Sequence, residues 1–477
     1  MPDDSVQQPQ EDKKGKASFP SAFWFANLTE LFERSAYYSV ASWVVPYFGM
    51  LGLGSYWPSV LSSTVLWGLV YFMPILSGTI ADQVGFKRSL LVAFVLLAAG
   101  YLVVGAPVWF GVGEMHQEVT SELWANVPTI VMLVMGIVLI GLGGSVIKPC
   151  VSGTVQKTAG VKATLAFALF YMTINIGSLM GRVTSWVIRT RFDLSYVWGV
   201  GVVFSVIAFF VVLFKYTDPD DLTADSSKAD KKDKKTVGQI LADMILVLKN
   251  PRFTFFLIAT SGFWFLYNQV YNVMPLYWKR VLETDPAVDV YTMANPFVIV
   301  AFQLIITKLF GKMRPVVSII VGNVVVALAF VINVLPIFLA TDIRADWWDL
   351  APIASVVGMA TVGIVAFGEL FAAPRAYEYV GAMAPKGQVG LFLGYVNLPV
   401  AIGAILGGPV GAAIFNEVMC KGAVERPDGL LDLDPHQNAL GWGIFLAIGL
   451  GSAILMLAYH FWLKHDMAKE KQSQKEV

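Results

Sequence analysis

The chain has 477 residues, of which 56% are hydrophobic and 14% charged, against about 25% charged in an ordinary soluble domain. Apolar surface on that scale exceeds what one water-soluble core can bury, so the composition describes an integral membrane protein. The net charge of zero is silent on partners, and no basic stripe suggests nucleic acid, so no nucleic-acid partner is expected.

The chain opens with a polar stretch, MPDDSVQQPQEDKKGK, expected to form a disordered cytoplasmic tail. The first apolar run is too long for the core of a signal peptide and is expected to remain as the first span. A span needs roughly 20 mostly apolar residues. Twelve runs qualify: 22–50, 57–81, 89–110, 127–155, 164–189, 196–214, 252–278, 292–310, 315–340, 350–380, 389–417 and 440–463. Loop 111–126 holds Glu114, Glu118 and Glu122 but no Lys or Arg, whereas segment 215–250 holds KADKKDKK. By the positive-inside bias the loop is external, the segment is a cytoplasmic linker, and both termini are cytoplasmic. Within the linker, TVGQILADMILVLK (Thr236 to Lys249) reads as a short amphipathic helix on the inner membrane face. Cys150 and Cys420 are expected at different depths, without a disulfide.

The expected organisation is a tail (1–21), a six-helix bundle (22–214), the linker (215–251), a second six-helix bundle (252–463) and a second tail (464–477). After the second span comes GTIADQVGFKR, which resembles the loop signature of the major facilitator superfamily. Asp82 there can face a helix N-terminus, while Lys87 and Arg88 anchor at the inner surface. KLFGKMR (Lys308 to Arg314) is its degraded echo in the second half. The expectation is an all-α polytopic membrane protein with a 12-helix major facilitator superfamily fold, its two six-helix halves enclosing a midplane cavity.

Ionisable groups in mid-span cost at least about 2.5 kcal/mol each for Arg, Lys or Asp and usually mark a water-filled path or an ion pair. In NLTELFERSAYY, Glu30, Glu33, Arg34, Tyr37 and Tyr38 fall within an arc of about 140° on one helix face at about 100° per residue. Glu30 and Arg34 are spaced to pair directly. Two carboxylates beside one guanidinium leave an excess acid that can exchange a proton; the alternative is a static ion network that fixes helix packing. Lys148, followed by Pro149 near the inner end of the fourth span, either snorkels to the interface or faces the interior. Glu369 lies deep in the tenth span. A lone acid opposite a cationic cluster suits a ligand with both signs of charge, its anionic end on Arg34 and Lys148 and its cationic end on Glu369.

E-L-F-E-R-S-A-Y-Y (Glu30 to Tyr38) resembles the first-helix signature of the proton-dependent oligopeptide transporter family. GGSVIKPCVS resembles that family's fourth-helix motif, FALFYMTINIGSL (Phe167 to Leu179) its fifth, and GELFAAPRAYEYVGAMAP (Gly368 to Pro385) its tenth. Tyr71 keeps its usual distance from Asp82. The resemblance implies proton-coupled symport of di- and tripeptides. In it Glu30, Glu33, Arg34 and Lys148 serve proton coupling, with Lys148 as the salt-bridge partner of the glutamates. Arg34 and Lys148 would hold a peptide carboxylate, and Glu369 and Asn175 the amino end and backbone. Tyr37, Tyr38 and Tyr71 would line the site, with Trp264, Asn268 and Gln269 on the seventh helix.

Two departures stand out. Asn268 replaces the family's acid, and Ala41 replaces an Arg that pairs with it in an external gate. Arg182 is an additional cation with no family role. No cofactor or metal is expected, and the partners are a small peptide, protons and the lipid bilayer. The expected state is a monomer in a bacterial inner membrane, since the loops are short. A symporter of another small zwitterion or anion, such as an amino acid derivative or nitrate, is the alternative on the same scaffold. A non-transporting sensor would call for an added signalling domain. An enzyme is not expected: His116, His436, His460 and His465 lie in loops or at a span end, without HExxH or GxSxG.

Overall fold

The computed structural model describes residues 19–116, 118–159, 163–219, 238–239, 248–339, 342–347, 351–383 and 395–473. The N-terminal tail, the KADKKDKK run and most of the expected amphipathic helix lie outside the described residues, as does the side chain of Asp82.

The principal helices are α1 (Ser21–Val40), α2 (Pro74–Val84), α3 (Phe86–Trp109), α4 (Val127–Ala159), α5 (Ala163–Arg191) and α6 (Tyr196–Phe214), then α7 (Pro251–Asn268), α8 (Ala294–Phe310), α9 (Pro315–Val331), α10 (Ile353–Met383), α11 (Leu398–Ala413) and α12 (Pro435–Ser473). Among the described residues, eight helical stretches are long and apolar enough to cross a membrane, and they contain α3, α4, α6 and α8 to α12. The other four apolar runs are helical too. In α1 three charged residues interrupt the apolar run, and at 57–84 and beyond Asn268 the helix is broken. The 33 residues of α4 amount to about 50 Å of helix, well beyond the hydrocarbon thickness of about 30 Å, so α4 runs past the lipid or tilts.

The first and seventh apolar runs are broken in the same way. Helix α1 gives way at Ala41–Trp43 to Val44–Phe48 and a π-helical turn, Gly49–Leu53. Helix α7 gives way at Gln269–Asn272 to Val273–Tyr277 and a π-helical turn, Trp278–Leu282. The cause is shared. Pro46 and Pro275 lack an N–H and crowd the carbonyl four residues earlier, so the ladder stops one turn ahead of each proline. The two prolines signal this repeat in the sequence, where the runs read as unbroken.

Within the chain's first part, α1 packs on α5 and α6, and α3 on α4 and α6; in the later part, α9 packs on α10 and α12, and α7 on α11 and α12. Between the two groups, residues 57–72 lie against α11, and α5 lies against Val288–Thr292 and α8. Glycine sets the closest crossings. A Cβ at Gly181 would stand 2.4 Å from the Ser35 carbonyl oxygen, and one at Gly177 would stand 2.7 Å from that of Leu31. Ser35 Oγ donates to the Gly177 carbonyl at 3.1 Å. This small-residue seam seats α1 on α5 and so aims the charged face of α1. Gly181→Val therefore has nowhere to put its side chain. It is expected to lower thermal stability by about 1–3 kcal/mol or more, checked as a fall in the melting temperature of purified protein, while Gly443→Ala, in open space, leaves it unchanged.

The turn between α2 and α3 is made at Gly85, with φ of 98°. The free N-terminus of α3 is served by Asp218, whose carboxylate accepts from the Lys87 N–H at 3.2 Å. The acid across from this helix start thus comes from the segment after α6. These residues mark the linker end of the molecule. The loops 111–126 and 420–434 form the opposite, distal end. Cys150 and Cys420 form no disulfide.

Candidate functional site

Glu30, Glu33 and Arg34 are buried together on α1. Arg34 grips Glu33 with both arms of its guanidinium: Nη2 donates to Oε1 at 2.6 Å and Nε donates to Oε2. The i, i+4 ion pair expected from spacing also forms, with Glu30 3.5 Å from Arg34 Nε. Both Glu30 oxygens are buried without a hydrogen bond. The unequal hold on the two glutamates has a geometric reason. A planar guanidinium satisfies one carboxylate in fork-to-fork fashion, and the neighbouring side chain claims that fork. The excess acid is therefore Glu30. Tyr37 continues the face, with the Arg34 guanidinium 5.2 Å from its ring centre.

Lys148 makes no ion pair within 4 Å among the described residues, contrary to its expected salt bridge with Glu30 or Glu33. Its ammonium lies 5.1 Å from the centre of the Tyr71 ring. It nevertheless stands in the fields of Arg34, Glu30, Glu33 and Glu369 together, so α1, α4 and α10 bring their charges into one region. Glu369 accepts from Asn295 Nδ2 at 3.3 Å and lies beside Tyr267. It is placed there by another glycine crossing, since a Cβ on Gly368 would meet the Gly322 carbonyl at 2.9 Å. Asn175 is buried, with its amide donating to the Tyr171 carbonyl at 2.9 Å.

An aromatic wall joins these groups. Trp67 lies 5.5 Å from Tyr71, 5.2 Å from Tyr271 and 6.3 Å from Tyr267, and Trp264 lies 5.3 Å from Tyr267. Tyr37 and Tyr38 meet edge to face at 5.2 Å. Trp67, Tyr267, Tyr271 and Asn295 were not among the expected site residues. An aromatic within a hydrophobic run gives no sign of which side it faces. Tyr171, near Glu369 and Tyr377, remains 37% exposed, and Tyr377 remains 48% exposed.

Two expected site residues are otherwise engaged. Asn268 and Gln269 are fully buried. Asn268 Oδ1 accepts from Ser63 Oγ at 2.5 Å and from Asn272 Nδ2 at 2.5 Å. Gln269 Nε2 donates to the Phe265 and Gly407 carbonyls at 2.8 and 3.1 Å. Both satisfy backbone or side-chain groups freed by the break after α7, so they serve helix contacts and do not line an open wall.

Arg182 is fully buried. Its Nε donates to Thr292 Oγ1 at 3.2 Å, Nη2 to the Tyr271 hydroxyl at 3.1 Å, and Nη1 to Ser178. The guanidinium also sits 4.5 Å from the centre of the Tyr38 ring. All its acceptors are neutral. Thr292 is shared with Ser42 at 2.8 Å. Two turns further along α5, Arg189 bonds Asp285 at 2.8 Å and faces Asp289 at 3.5 Å. Arg182 and Arg189 thus tie α5 to the segment after α7 towards the distal end.

Several apolar helices around a buried set of opposite charges and phenols define a multi-pass membrane transporter. The family model of the Major Facilitator Superfamily matches residues 23–373, and the chain belongs to that superfamily. Over 202 residues it is 28% identical to dipeptide and tripeptide permease B of Yersinia enterocolitica, which covers 40% of this chain and 36% of that protein. It is 29% identical to solute carrier family 15 member 1 of Rattus norvegicus over 37% of this chain and 26% of the other. The matched stretch is thus only about a quarter to a third of these relatives' own length. Dipeptide and tripeptide permease A of Escherichia coli is 23% identical over 91% of this chain and 90% of its own. Among solved structures, the peptide transporter POT in complex with sulfate superimposes with a TM-score of 0.70 at 16% identity, covering 93% of this chain and 95% of that one. A POT family transporter in complex with 5-aminolevulinic acid gives 0.68 at 16% identity, covering 94% and 98%. Identities this low speak for the fold alone.

Proposed function

We propose that this protein is a proton-coupled symporter of di- and tripeptides that works by alternating access. The observation that carries the reading is the buried set on α1, α4 and α10, in which Lys148 stands in the fields of Arg34, Glu30, Glu33 and Glu369. The relatives named as dipeptide and tripeptide permeases support the same substrate class. Arg34 and Lys148 hold the peptide carboxylate, Glu369 holds the amine, and the aromatic wall leaves room for varied side chains. Glu30, without a hydrogen-bond donor of its own, carries the proton. Its charge changes what Arg34 and Lys148 offer the substrate, so proton and peptide bias one equilibrium together. The two bundles, 22–214 and 252–463, rock about this site, in a bacterial inner membrane with both termini and the linker end inside, as a monomer. Uptake of dialanine into proteoliposomes under an inward proton gradient tests the proposal. Uptake that ignores the gradient removes the coupling, and absence of uptake removes the substrate.

A second reading, a symporter of another small zwitterion, is favoured by Asn268, which departs from the acid of the family pattern that the chain resembles and is closed off by Ser63 and Asn272. Competition of dipeptides against a labelled amino acid derivative separates the two.

With Asn268 and Ala41 uncharged, closure of the distal end falls to Arg182. Its bonds to Tyr271 and Thr292 join the two bundles. Arg182→Gln is expected to open that end. In a Cys420→Ser background, a membrane-impermeant thiol reagent should label Ser42→Cys about tenfold faster when Arg182 is also replaced, which corresponds to about 1.4 kcal/mol of lost closure. Equal labelling rates would show that the distal end closes without Arg182.

A further inference from the structure

A cavity of about 300 Å³ lies at the distal end, between Glu118, Glu122 and Trp124 of loop 111–126 and Arg280, Glu425 and Gly429 of the later part of the chain. That volume is at the lower bound of ordinary ligand pockets, which span roughly 300–1,000 Å³. Its walls are fastened. The Trp124 and Ala125 N–H groups donate to the Gly52 carbonyl at 2.9 and 3.0 Å. The short hairpin of Val424–Glu425 and Leu431–Asp432 is held by Arg344, which donates to Asp432 and to the Leu431 carbonyl at 2.7 and 2.8 Å. Gly429, with φ of 78°, lets Glu118 come so near that a Cβ would stand 2.5 Å from its carboxyl carbon.

Arg280 is the anomaly. It is only 8% exposed, yet among the described residues it makes no hydrogen bond and no ion pair. Its neighbour Lys279, just as buried, is satisfied by the Thr284 carbonyl. The nitrogens of this guanidinium reach the solvent of the cavity, with Glu425 in their field, so they remain donors open to an anion. Three carboxylates, those of Glu118, Glu122 and Glu425, line the same cavity, and none comes within 4 Å of Arg280. Opposite charges that hold apart across an open space are arranged for a third party that carries both.

We infer that this cavity is a second binding site, separate from the buried set on α1, α4 and α10, for a small zwitterion with a free amine and a free carboxylate, of the size of a short peptide. The carboxylate takes the unpaired donors of Arg280 in fork geometry. The amine lies among the carboxylates, beside the Trp124 indole face. Because the walls belong to both parts of the chain, the ligand binds this closed arrangement better than an opened one and so holds the distal end shut. That the occupant is also the transported solute rests on the function proposed above; the binding itself does not.

Calorimetric titration of dialanine into the purified full chain tests this. Two classes of site are expected. Arg280→Gln weakens one class about tenfold or more, the loss of a charge-assisted contact, and Arg280→Lys restores part of it. The pair Glu118→Gln and Glu425→Gln weakens the same class for dialanine but not for its N-acetyl derivative. Glu369→Ala weakens the other class. An isotherm unchanged by Arg280→Gln in a protein of unchanged melting temperature overturns the distal site, whatever Glu369→Ala does. An isotherm altered by Arg280→Gln but not by Glu369→Ala sustains the distal site and removes the proposed transport site instead.

Discussion

Glu30→Gln is expected to abolish dipeptide accumulation driven by a proton gradient while leaving counterflow exchange of labelled for unlabelled dipeptide near the parent rate. Arg34 already spends its fork on Glu33, so loss of the Glu30 charge at 3.5 Å leaves the carboxylate-binding guanidinium in place. Only the proton site goes. Glu33→Gln differs in a way that exposes the division of labour. It too should end driven uptake, because Glu30 becomes the sole anion for Arg34 and is held ionised. It should also raise the KM of exchange by about tenfold, the equivalent of about 1.4 kcal/mol, because the guanidinium loses its clamp. Parallel transport assays in the two modes check both variants. If Glu30→Gln still accumulates dipeptide against its gradient, Glu30 is not the proton site. If the two variants behave alike in exchange, the bidentate clamp has no role in holding substrate.

The second large effect concerns Glu369. Among the described residues its carboxylate accepts from the neutral Asn295 amide at 3.3 Å and makes no ion pair, so it is available to an ammonium group. A charge-assisted hydrogen bond contributes about 1.5–3 kcal/mol. Glu369→Ala should therefore raise the KM for free-amine dipeptides by roughly 10- to 150-fold and leave N-acetylated dipeptides within about twofold. The readout is competition of both peptide classes against one labelled substrate. An equal loss for both would mean that Glu369 positions Asn295 and Tyr267 without reading the amine. Glu369→Gln sharpens the comparison, since it keeps the hydrogen-bonding shape and removes the charge.

The two charged helices are held by their neighbours in the same way. On α1 the glycines of α5 press against the backbone of Leu31 and Ser35, so the ion-bearing face cannot rotate without separating the helices. On α10 the crossing at Gly322 and Gly368 does the same for Glu369. Mid-span charges are tolerated because such seams turn them away from lipid, toward one another and toward buried polar groups.

What could be read from sequence alone was local and periodic. Helical repeat put Glu30, Glu33, Arg34, Tyr37 and Tyr38 on one face, and hydrophobic length located the apolar runs, because both depend on residues within a few turns of each other. The helical membrane class followed from the same short-range signals, and the superfamily from the resemblance of GTIADQVGFKR to its loop signature. Distance along the chain hid the rest. Which glutamate Arg34 grips with its fork is a matter of rotamer: i, i+4 spacing named the Glu30 pair, which forms at 3.5 Å, but not the bidentate hold on Glu33. Lys148 on Tyr71, Asn268 on Ser63, Arg182 on Tyr271 and Thr292, and the isolation of Arg280 join residues tens to hundreds of positions apart. Those partners are selected only when helices with interchangeable apolar surfaces settle into one packing, because every buried polar group must then take whatever donor or acceptor that packing brings within reach.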